Sequence, residues 1–327
     1  MRNDTAILKV SKKQALVEGK PRLETLPSRH TANRRTRGLG QGQICRLPDL
    51  SKPSNSLNPS HAFNLTKLPT LPGFGLSGFC FGAQQASGDF FDVLPAGHGA
   101  LLLVVADVMG HGAPAAHFAA VLRKCIRALT EVTLNPAELL AQVNRAMFSQ
   151  LSPADTFITA QVALADAARR QLTVASAGHC PLLLAIRGGQ VSHVSPKGMP
   201  LGILPEVSFR NQVVPLEAAC RVCLYTDGIT EARNADGQFL GSDPLARWLA
   251  HDADQTAAQI CEEFLCELQL FQSPSQPRDD QTLLILAEES PCSAFVPSSS
   301  IEGGSGFSQL QPAVQVLPLV DEWLEAA

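Results

Sequence analysis

An unbroken run of six apolar residues, 101–106, ends on an acid and constrains the fold more than any other feature. A strand without apolar–polar alternation is typical of a sheet covered on both faces, and such strands place their polar chemistry at their ends. Asp107 stands at that end, directly before a turn that contains Gly110 and Gly112. The glycines permit backbone conformations in which carbonyls and amides approach a small ligand closely. The pattern therefore predicts a buried strand that presents a carboxylate beside a tight turn.

Three further acids have a similar setting, next to an apolar strand. Asp89 opens the strand pair that leads to Asp107, Asp227 ends another apolar strand, and Asp279 lies just before the apolar run 283–286. Carboxylates gathered in one place repel one another unless a cation lies between them. Hard ions such as Mg²⁺ and Mn²⁺ take carboxylate and carbonyl oxygens as ligands. The four acids therefore indicate a site for two divalent cations.

Charge and composition divide the chain of 327 residues into three parts. The net charge is -4, yet residues 1–50 carry eleven Lys or Arg against four Asp or Glu. We interpret residues 1–70 as a basic, mostly disordered arm, since they are polar and rich in proline. Residues 71–288 have the patterning of a folded domain. Residues 289–327 are predicted to form a flexible linker and a short C-terminal helix. This segment is either a docking tail or the beginning of a further domain.

The sequence favours a cytoplasmic protein without a membrane span. It shows no signal peptide, and its apolar runs are too short to cross a bilayer. The nine cysteines are scattered and odd in number, which is typical of a reducing compartment. Cys220 and Cys223 have CxxC spacing inside an apolar strand, without a second pair or a histidine at zinc spacing. We therefore expect them to pack in the core.

Hydrophobic periodicity predicts many strands, with helices inserted in pairs. Such an order favours an α+β fold of antiparallel sheets flanked by helices over a doubly wound parallel sheet. Helices are predicted at 113–131, 136–151, 243–251 and 255–271. Strands are predicted at 74–83, 90–95, 100–107, 156–166, 170–177, 181–187, 190–194, 207–214, 220–226 and 283–286.

Seven short motifs follow one another along residues 74–288: Ser87–Asp92, Ala106–Ala116, Thr156–Thr159, Ser176–Pro181, Gly198–Gly202, Leu224–Arg233 and Asp279–Thr282. Each motif alone is weakly informative, but seven in the same order are specific. The series resembles the bacterial metal-dependent protein phosphatases of the SpoIIE type, within the PPM superfamily. The resemblance implies an α-β-β-α sandwich of two antiparallel sheets with helices outside.

The same resemblance implies a reaction and a set of ligands. The reaction is hydrolysis of phosphoserine or phosphothreonine, commonly on a small anti-anti-sigma protein, with two Mn²⁺ or Mg²⁺ ions activating water. Residue by residue, Asp89 and Asp107 resemble the acids shared around the two metals, with the Val108 carbonyl as a backbone ligand. Asp227 and Asp279 resemble the ligands of the later motifs. Two neighbouring acids, Asp92 and Asp280, are expected outside the ligand set.

The sequence departs from the family pattern in two places, the residue two positions before the first acid and the cation that would bind the substrate phosphate. Ser87 stands where the family usually has a glycine, a change that we expect to be tolerated. No Lys or Arg occurs between Lys67 and Arg123, so no cation precedes the first acidic motif to hold a phosphate.

Two histidines lie in the motifs. The leaving serine oxygen needs a proton, either from metal-bound water or from a nearby histidine, and His111 is the nearest histidine in sequence. His179 is expected to brace a turn.

Two functional hypotheses remain. The protein is either an enzyme or a non-catalytic module of the same fold that binds the same partner. The presence of all four acids favours the enzyme, because a degenerate module is expected to have lost at least one. A nucleic-acid binder that uses the basic arm is the least favoured reading. A homodimer is compatible with the sequence.

Overall fold

The structure is a computed structural model, and it describes residues 68–289 apart from 85, 98, 188, 252–254 and 275. Nearly all of the predicted arm at 1–70 and of the predicted tail at 289–327 lies outside these residues. Both therefore stay predictions, as do the domain boundaries.

The described part contains ten strands in two five-stranded sheets, and every strand pair is antiparallel. Sheet A has the order β1-β10-β9-β6-β7. Its strands are β1 (Phe74–Phe81), β6 (Leu182–Ala185), β7 (Val191–Val194), β9 (Arg221–Tyr225) and β10 (Gln281–Glu288). Sheet B has the order β2-β3-β4-β5-β8. Its strands are β2 (Phe90–Pro95), β3 (Ala100–Val108), β4 (Ile158–Asp166), β5 (Gln171–Ala177) and β8 (Gln212–Pro215).

Five α-helices accompany the sheets: α1 (Ala113–Leu129), α2 (Pro136–Leu151), α3 (Asp227–Thr230), α4 (Ser242–Ala250) and α5 (Ala257–Gln272). A 3₁₀ turn at Ser152–Ala154 follows α2. Among the helices of the described residues, none combines the length and the apolar character that a membrane crossing needs.

Three apolar layers build the core. The middle layer lies between the sheets and includes Leu103 of sheet B and Leu284 of sheet A. An outer layer joins α1 and α2 to sheet B, and the other joins α4 and α5 to sheet A. The predicted α-β-β-α sandwich is therefore confirmed. Cys220 and Cys223 are buried in two different layers, which agrees with the predicted packing role.

The longer helices form where apolar periodicity and capping residues predict them. Asn135 caps α2 by accepting hydrogen bonds from two backbone N–H groups, and Pro136 occupies its first turn. Thr256 and Gln259 form a reciprocal capping box at the start of α5. These helices begin and end within two residues of the predicted bounds.

The strand predicted at 207–214 was largely wrong, because β8 covers only Gln212–Pro215. Phe209 is buried in the layer beneath α1 and α2, and the Asn211 side chain bonds to the backbone at the start of α2. Residues 207–211 therefore pack against the helix layer and do not extend the sheet. The sequence also did not predict α3, a single turn whose first residue is Asp227.

Candidate metal centre

Strand register places the four predicted acids at one end of the sandwich. Phe90 pairs with Ala106, so Asp89 before β2 lies beside Asp107 near the end of β3. Tyr225 pairs with Leu283, so the end of β9 lies beside the start of β10. Asp227 follows β9 and Asp279 precedes β10. Each sheet thus contributes two acids.

The carboxylates of the two sheets are close enough to perturb one another. Burial raises the pKa of Asp107 to about 7, together with the negative charges of Asp227 and Asp279. Burial and the charge of Asp107 also raise the pKa of Asp89. The four acids therefore form one electrostatic group, in which negative charge is concentrated and cations are favoured.

The two acids that flank strands of sheet A are less buried than the other two. Burial raises the pKa of Asp227, and the charge of Glu231 adds to this effect. Burial likewise raises the pKa of Asp279, while the hydrogen bond from the Asp280 N–H and, to a smaller extent, His111 lower it. Both residues are exposed, whereas Asp89 is almost fully buried. Asp227 and Asp279 consequently have room to change rotamer, which the Asp89 side chain lacks.

Within the described residues, no three His, Cys, Asp or Glu side chains stand together as a ready set of metal ligands. The acids thus interact through their charges without converging on one point. The donor set nevertheless fits hard divalent ions, because it consists of carboxylate oxygens. Binding two ions requires the exposed acids to rotate towards Asp89 and Asp107.

The Val108 carbonyl lies at the same end, against Gly88. A Cβ at position 88 would come within 3.2 Å of the Val108 oxygen and 2.9 Å of the Ala115 Cβ. The N–H of Ile158, which is opposite Val108 in β4, donates to Leu201 instead. Glycine at 88 therefore keeps the space over this carbonyl open, which suits the predicted role of Val108 as a backbone ligand.

Thr226 fixes the Asp89 carboxylate, a contact that the motif comparison did not reveal. Its hydroxyl donates to Asp89 Oδ2 at 2.7 Å and accepts from the Thr282 N–H at 3.0 Å. Its own N–H donates to the Thr282 carbonyl at 3.1 Å. Thr226 thereby ties an acid of sheet B to two strands of sheet A.

Asp280 holds the loop between β1 and β2. Its buried carboxylate accepts hydrogen bonds from the N–H groups of Ala83 at 2.7 Å and Gly88 at 2.6 Å. The Ser87 hydroxyl donates to the same carboxylate at 3.0 Å. The serine that replaces the usual glycine therefore takes part in this anchor. Asp280 stabilises the loop that carries Asp89.

Asp92 lies apart from the acidic group and pairs with helix α1. Arg127 Nε donates to its carboxylate at 2.7 Å, and Arg123 Nε does so at 3.1 Å. Burial acts to raise the pKa of Asp92, but the two guanidinium groups outweigh burial and lower it. Asp92 is thus a structural residue that joins β2 to α1.

The two histidines have different environments. His179 is buried, and burial lowers its pKa to about 4. Its Nδ1 lies 2.8 Å from the Thr159 hydroxyl, and its Nε2 lies 3.1 Å from the Tyr225 carbonyl. A carbonyl can only accept, so Nε2 carries the proton and the ring joins the two sheets.

His111 is exposed in the turn after β3. The Gln84 amide nitrogen lies 2.9 Å from its Nδ1, and an amide nitrogen can only donate. Nε2 of the neutral ring therefore carries the proton. His111 lies near enough to Asp279 to affect the pKa of that acid, so it is the histidine available to reacting groups near the acids.

Comparisons of the sequence and of the structure with known proteins give matches that agree with one another. The sequence profile of Stage II sporulation protein E (SpoIIE) matches residues 97–288, which include three of the four acids but not Asp89. Phosphoserine phosphatase RsbU of Bacillus subtilis is 28% identical over 225 residues. The matched segment makes up 68% of this chain and 65% of RsbU, so the chain spans less than two thirds of that relative.

Two solved structures share the fold. The SiaA-PP2C domain of Pseudomonas aeruginosa is 28% identical, with a TM-score of 0.60 over 65% of this chain and 85% of that one. RsbX in complex with magnesium is 17% identical, with a TM-score of 0.53 over 68% of this chain and 98% of that one. The sandwich, the order of the motifs and a profile match over more than half of the sequence lead to one conclusion: the chain belongs to the SpoIIE family.

Proposed function

We propose that this protein is a Mn²⁺- or Mg²⁺-dependent phosphatase of phosphoserine or phosphothreonine in a regulatory protein of the anti-anti-sigma type. The observation that supports this proposal is the electrostatic group formed by Asp89, Asp107, Asp227 and Asp279 at one end of the sandwich. The description of RsbU as a phosphoserine phosphatase and of RsbX as a magnesium complex supports the same chemistry.

The proposed ligands of the two ions are the four carboxylates and the Val108 carbonyl. When bound, the ions would lower the pKa of a water molecule and neutralise charge on the phosphate oxygens. Asp89 is held in one orientation by Thr226, and the loop before it is held by Asp280. Asp227 and Asp279 complete the set from the opposite sheet. The protein's own contribution is therefore to bring oxygen ligands from both sheets to the same end of the sandwich.

The serine oxygen that leaves the phosphorus must take up a proton. We assign this step to protonated His111: the imidazolium gives its Nε2 proton to the serine oxygen and becomes a neutral ring, while Nδ1 stays beside the Gln84 amide. His179 does not suit this role, since both of its ring nitrogens are engaged and its pKa of about 4 keeps it neutral near pH 7.

Hydrolysis of p-nitrophenyl phosphate with and without Mn²⁺ tests the proposal. We expect Mn²⁺-dependent turnover that falls at least about 100-fold in Asp107→Ala and Asp227→Asn, because each change removes charge that would hold the ions. Asp236→Asn is the matched control, since Asp236 is an exposed aspartate of another Asp-Gly turn. Full activity in both site variants would refute the ligand assignment.

The alternative is a non-catalytic module that keeps the fold and binds the same kind of partner. It predicts no turnover with Mn²⁺ or Mg²⁺, either of p-nitrophenyl phosphate or of a phosphoserine peptide. Calorimetric titration with Mn²⁺ separates an inactive metal-binding module from one that binds no metal.

A further inference from the structure

Four large apolar side chains are exposed close to the acidic group. Met109, Met199, Ile203 and Leu204 are between 39% and 46% exposed. We call these four residues the apolar rim. Isolated exposed apolar residues are ordinary, but a group of them beside a polar cleft marks a binding surface.

The rim residues lie on the two sides of one short segment at the start of β4. On one side, the Met109 N–H donates to the Phe157 carbonyl at 3.0 Å. On the other side, Ile158 and Leu201 exchange two backbone hydrogen bonds. Neighbouring strands are about 4.8 Å apart, so the backbones at 109 and 201 are separated by about 10 Å. The rim is thus a single surface about two strand spacings wide.

This surface borders the proposed metal ligands. Met109 follows Asp107 by two residues, which places its backbone within about 7 Å of that acid. On the other side, a Cβ at Gly178 would lie 2.7 Å from Pro200. His179 follows Gly178, and its Nε2 lies 3.1 Å from the carbonyl of Tyr225, two residues before Asp227. The rim therefore begins at the acids and extends away from them.

A buried side chain holds the rim loop in place. Asn144 of α2 is fully buried, and its amide nitrogen donates to the carbonyls of Leu204 at 2.9 Å and Pro205 at 3.2 Å. Its amide oxygen accepts from the Gly202 N–H at 2.9 Å. A fully satisfied buried amide thus fixes a loop whose apolar side chains face solvent. Such preorganisation lowers the entropic cost of binding a partner.

We propose that the apolar rim binds the polypeptide on either side of the substrate phosphoserine, and that it selects large apolar side chains there. The inference rests on the proposed function for its choice of occupant. The rim borders the acids, so a chain whose phosphate reaches them can lie across it. Met109 lies within about 7 Å of Asp107, and position 201 lies two strand spacings, or about 10 Å, from the strand that carries Asp107. An extended chain advances about 3.4 Å per residue, so the selected side chains lie two or three residues from the serine.

Binding of a product peptide tests the inference without metal or turnover. The probe is a fluorescent ten-residue serine peptide with Leu and Ile three residues before and after the serine, compared with the same peptide carrying Ser and Gln there. Fluorescence anisotropy should show about tenfold tighter binding of the apolar peptide to the full chain. The double variant Ile203→Ser/Leu204→Ser should reduce this preference to within about twofold.

Leu270→Ser is the matched control, because Leu270 is a large apolar side chain on α5 with 71% exposure. It should keep the tenfold preference. Equal affinity of the wild type for both peptides would overturn the inference, as would a preference that survives in the double variant. Sedimentation should show the same mass for wild type and double variant. Self-association that the double variant abolishes would make the rim a contact between copies and would also overturn the inference.

Failure of the inference and failure of the proposed function give different results. Peptide discrimination without Mn²⁺-dependent turnover supports peptide binding at the rim, but it refutes the enzyme and with it the substrate as the occupant. Turnover of p-nitrophenyl phosphate without peptide discrimination supports the enzyme and refutes the rim.

Discussion

Asp92 and Asp280 are buried acids that stand next to proposed ligands in the sequence, and each has its charge compensated. Two guanidinium groups compensate Asp92, and backbone N–H groups with one hydroxyl compensate Asp280. Asp107 has no comparable compensation, since neighbouring acids raise its pKa. Buried charge without a protein partner is costly, so the uncompensated acids are those that gain most from divalent cations.

Replacing Asp92 by asparagine should destabilise the protein by about 2–3 kcal/mol at pH 7, because the ion pairs of Arg123 and Arg127 with this buried carboxylate are lost. The folded-state pKa of Asp92 is lowered, so its contribution is fully present above the unfolded pKa near 4 and is lost as the pH falls through the folded value. Urea unfolding of wild type and variant between pH 7 and pH 3 measures the difference, which should shrink below about pH 4.

Asp166→Asn is the control for this prediction, since Asp166 pairs with Arg169, whose side chain is largely exposed. Its effect should stay below about 1 kcal/mol at every pH. A difference for Asp92→Asn that grows towards acid pH would contradict the assigned direction of the pKa.

The role of His111 predicts a dependence on the leaving group. A serine alkoxide needs a proton as it leaves, whereas p-nitrophenolate is a stable anion. His111→Ala should therefore lower kcat for a phosphoserine peptide by about 100-fold and have a much smaller effect on p-nitrophenyl phosphate. His117→Ala, on the neighbouring helix α1, is the control and should leave both rates unchanged. An equal loss on both substrates would indicate that His111 does not donate the proton.

Two Asp-Gly pairs that look alike in the sequence belong to different kinds of turn. Gly237 has a φ of +79° and open space around it, and its turn joins Asn234 to Gln238 by backbone hydrogen bonding. It needs glycine for conformation. Gly228 has no positive φ, but a Cβ there would lie 1.9 Å from the Asp280 carbonyl oxygen. It needs glycine for space, because the turn that begins α3 packs directly against the start of β10.

The two pairs predict different costs for the same substitution. Gly237→Ala should destabilise the protein by about 1 kcal/mol, the cost of a left-handed backbone for alanine. Gly228→Ala should cost about 3 kcal/mol or more, because the Asp280 backbone must move. Thermal or urea unfolding of both variants measures the costs. A smaller effect at 228 than at 237 would contradict the packing of α3 on β10.

Periodicity predicts elements whose burial repeats along the chain. The apolar faces of α1, α2 and α5 recur at helical spacing, so their bounds were predicted within two residues. The segment 207–211 and the turn α3 have no such repeat. Phe209 is buried against a helix that lies more than fifty residues earlier in the chain, and no local pattern carries that information.

The proposed site was predictable only in part. The position of each acid next to a strand is a local property, and the motifs place the acids in order. Strand register then decides that they share one end of the sandwich. The hydrogen bonds of Thr226 to Asp89 and of Asp280 to Gly88 join residues more than 130 positions apart, so they could be seen only in three dimensions.

Within residues 68–289, three apolar layers cover both faces of each sheet. A truncated chain of these residues should therefore fold alone, with one cooperative transition and a midpoint within about 3 °C of that of the full chain. Scanning calorimetry of both chains checks this. A midpoint that is lower by about 10 °C or more would place stabilising contacts outside the domain.

The first and last strands of the described domain are neighbours, since β1 pairs with β10 along its whole length. Asp280, at the start of β10, anchors the loop that carries Asp89. On the ribosome, Asp89, Asp107 and Asp227 are synthesised well before this anchor exists. A nascent or prematurely terminated chain thus lacks both Asp279 and the anchor of the Asp89 loop. The proposed phosphatase activity should therefore begin only after β10 has left the exit tunnel.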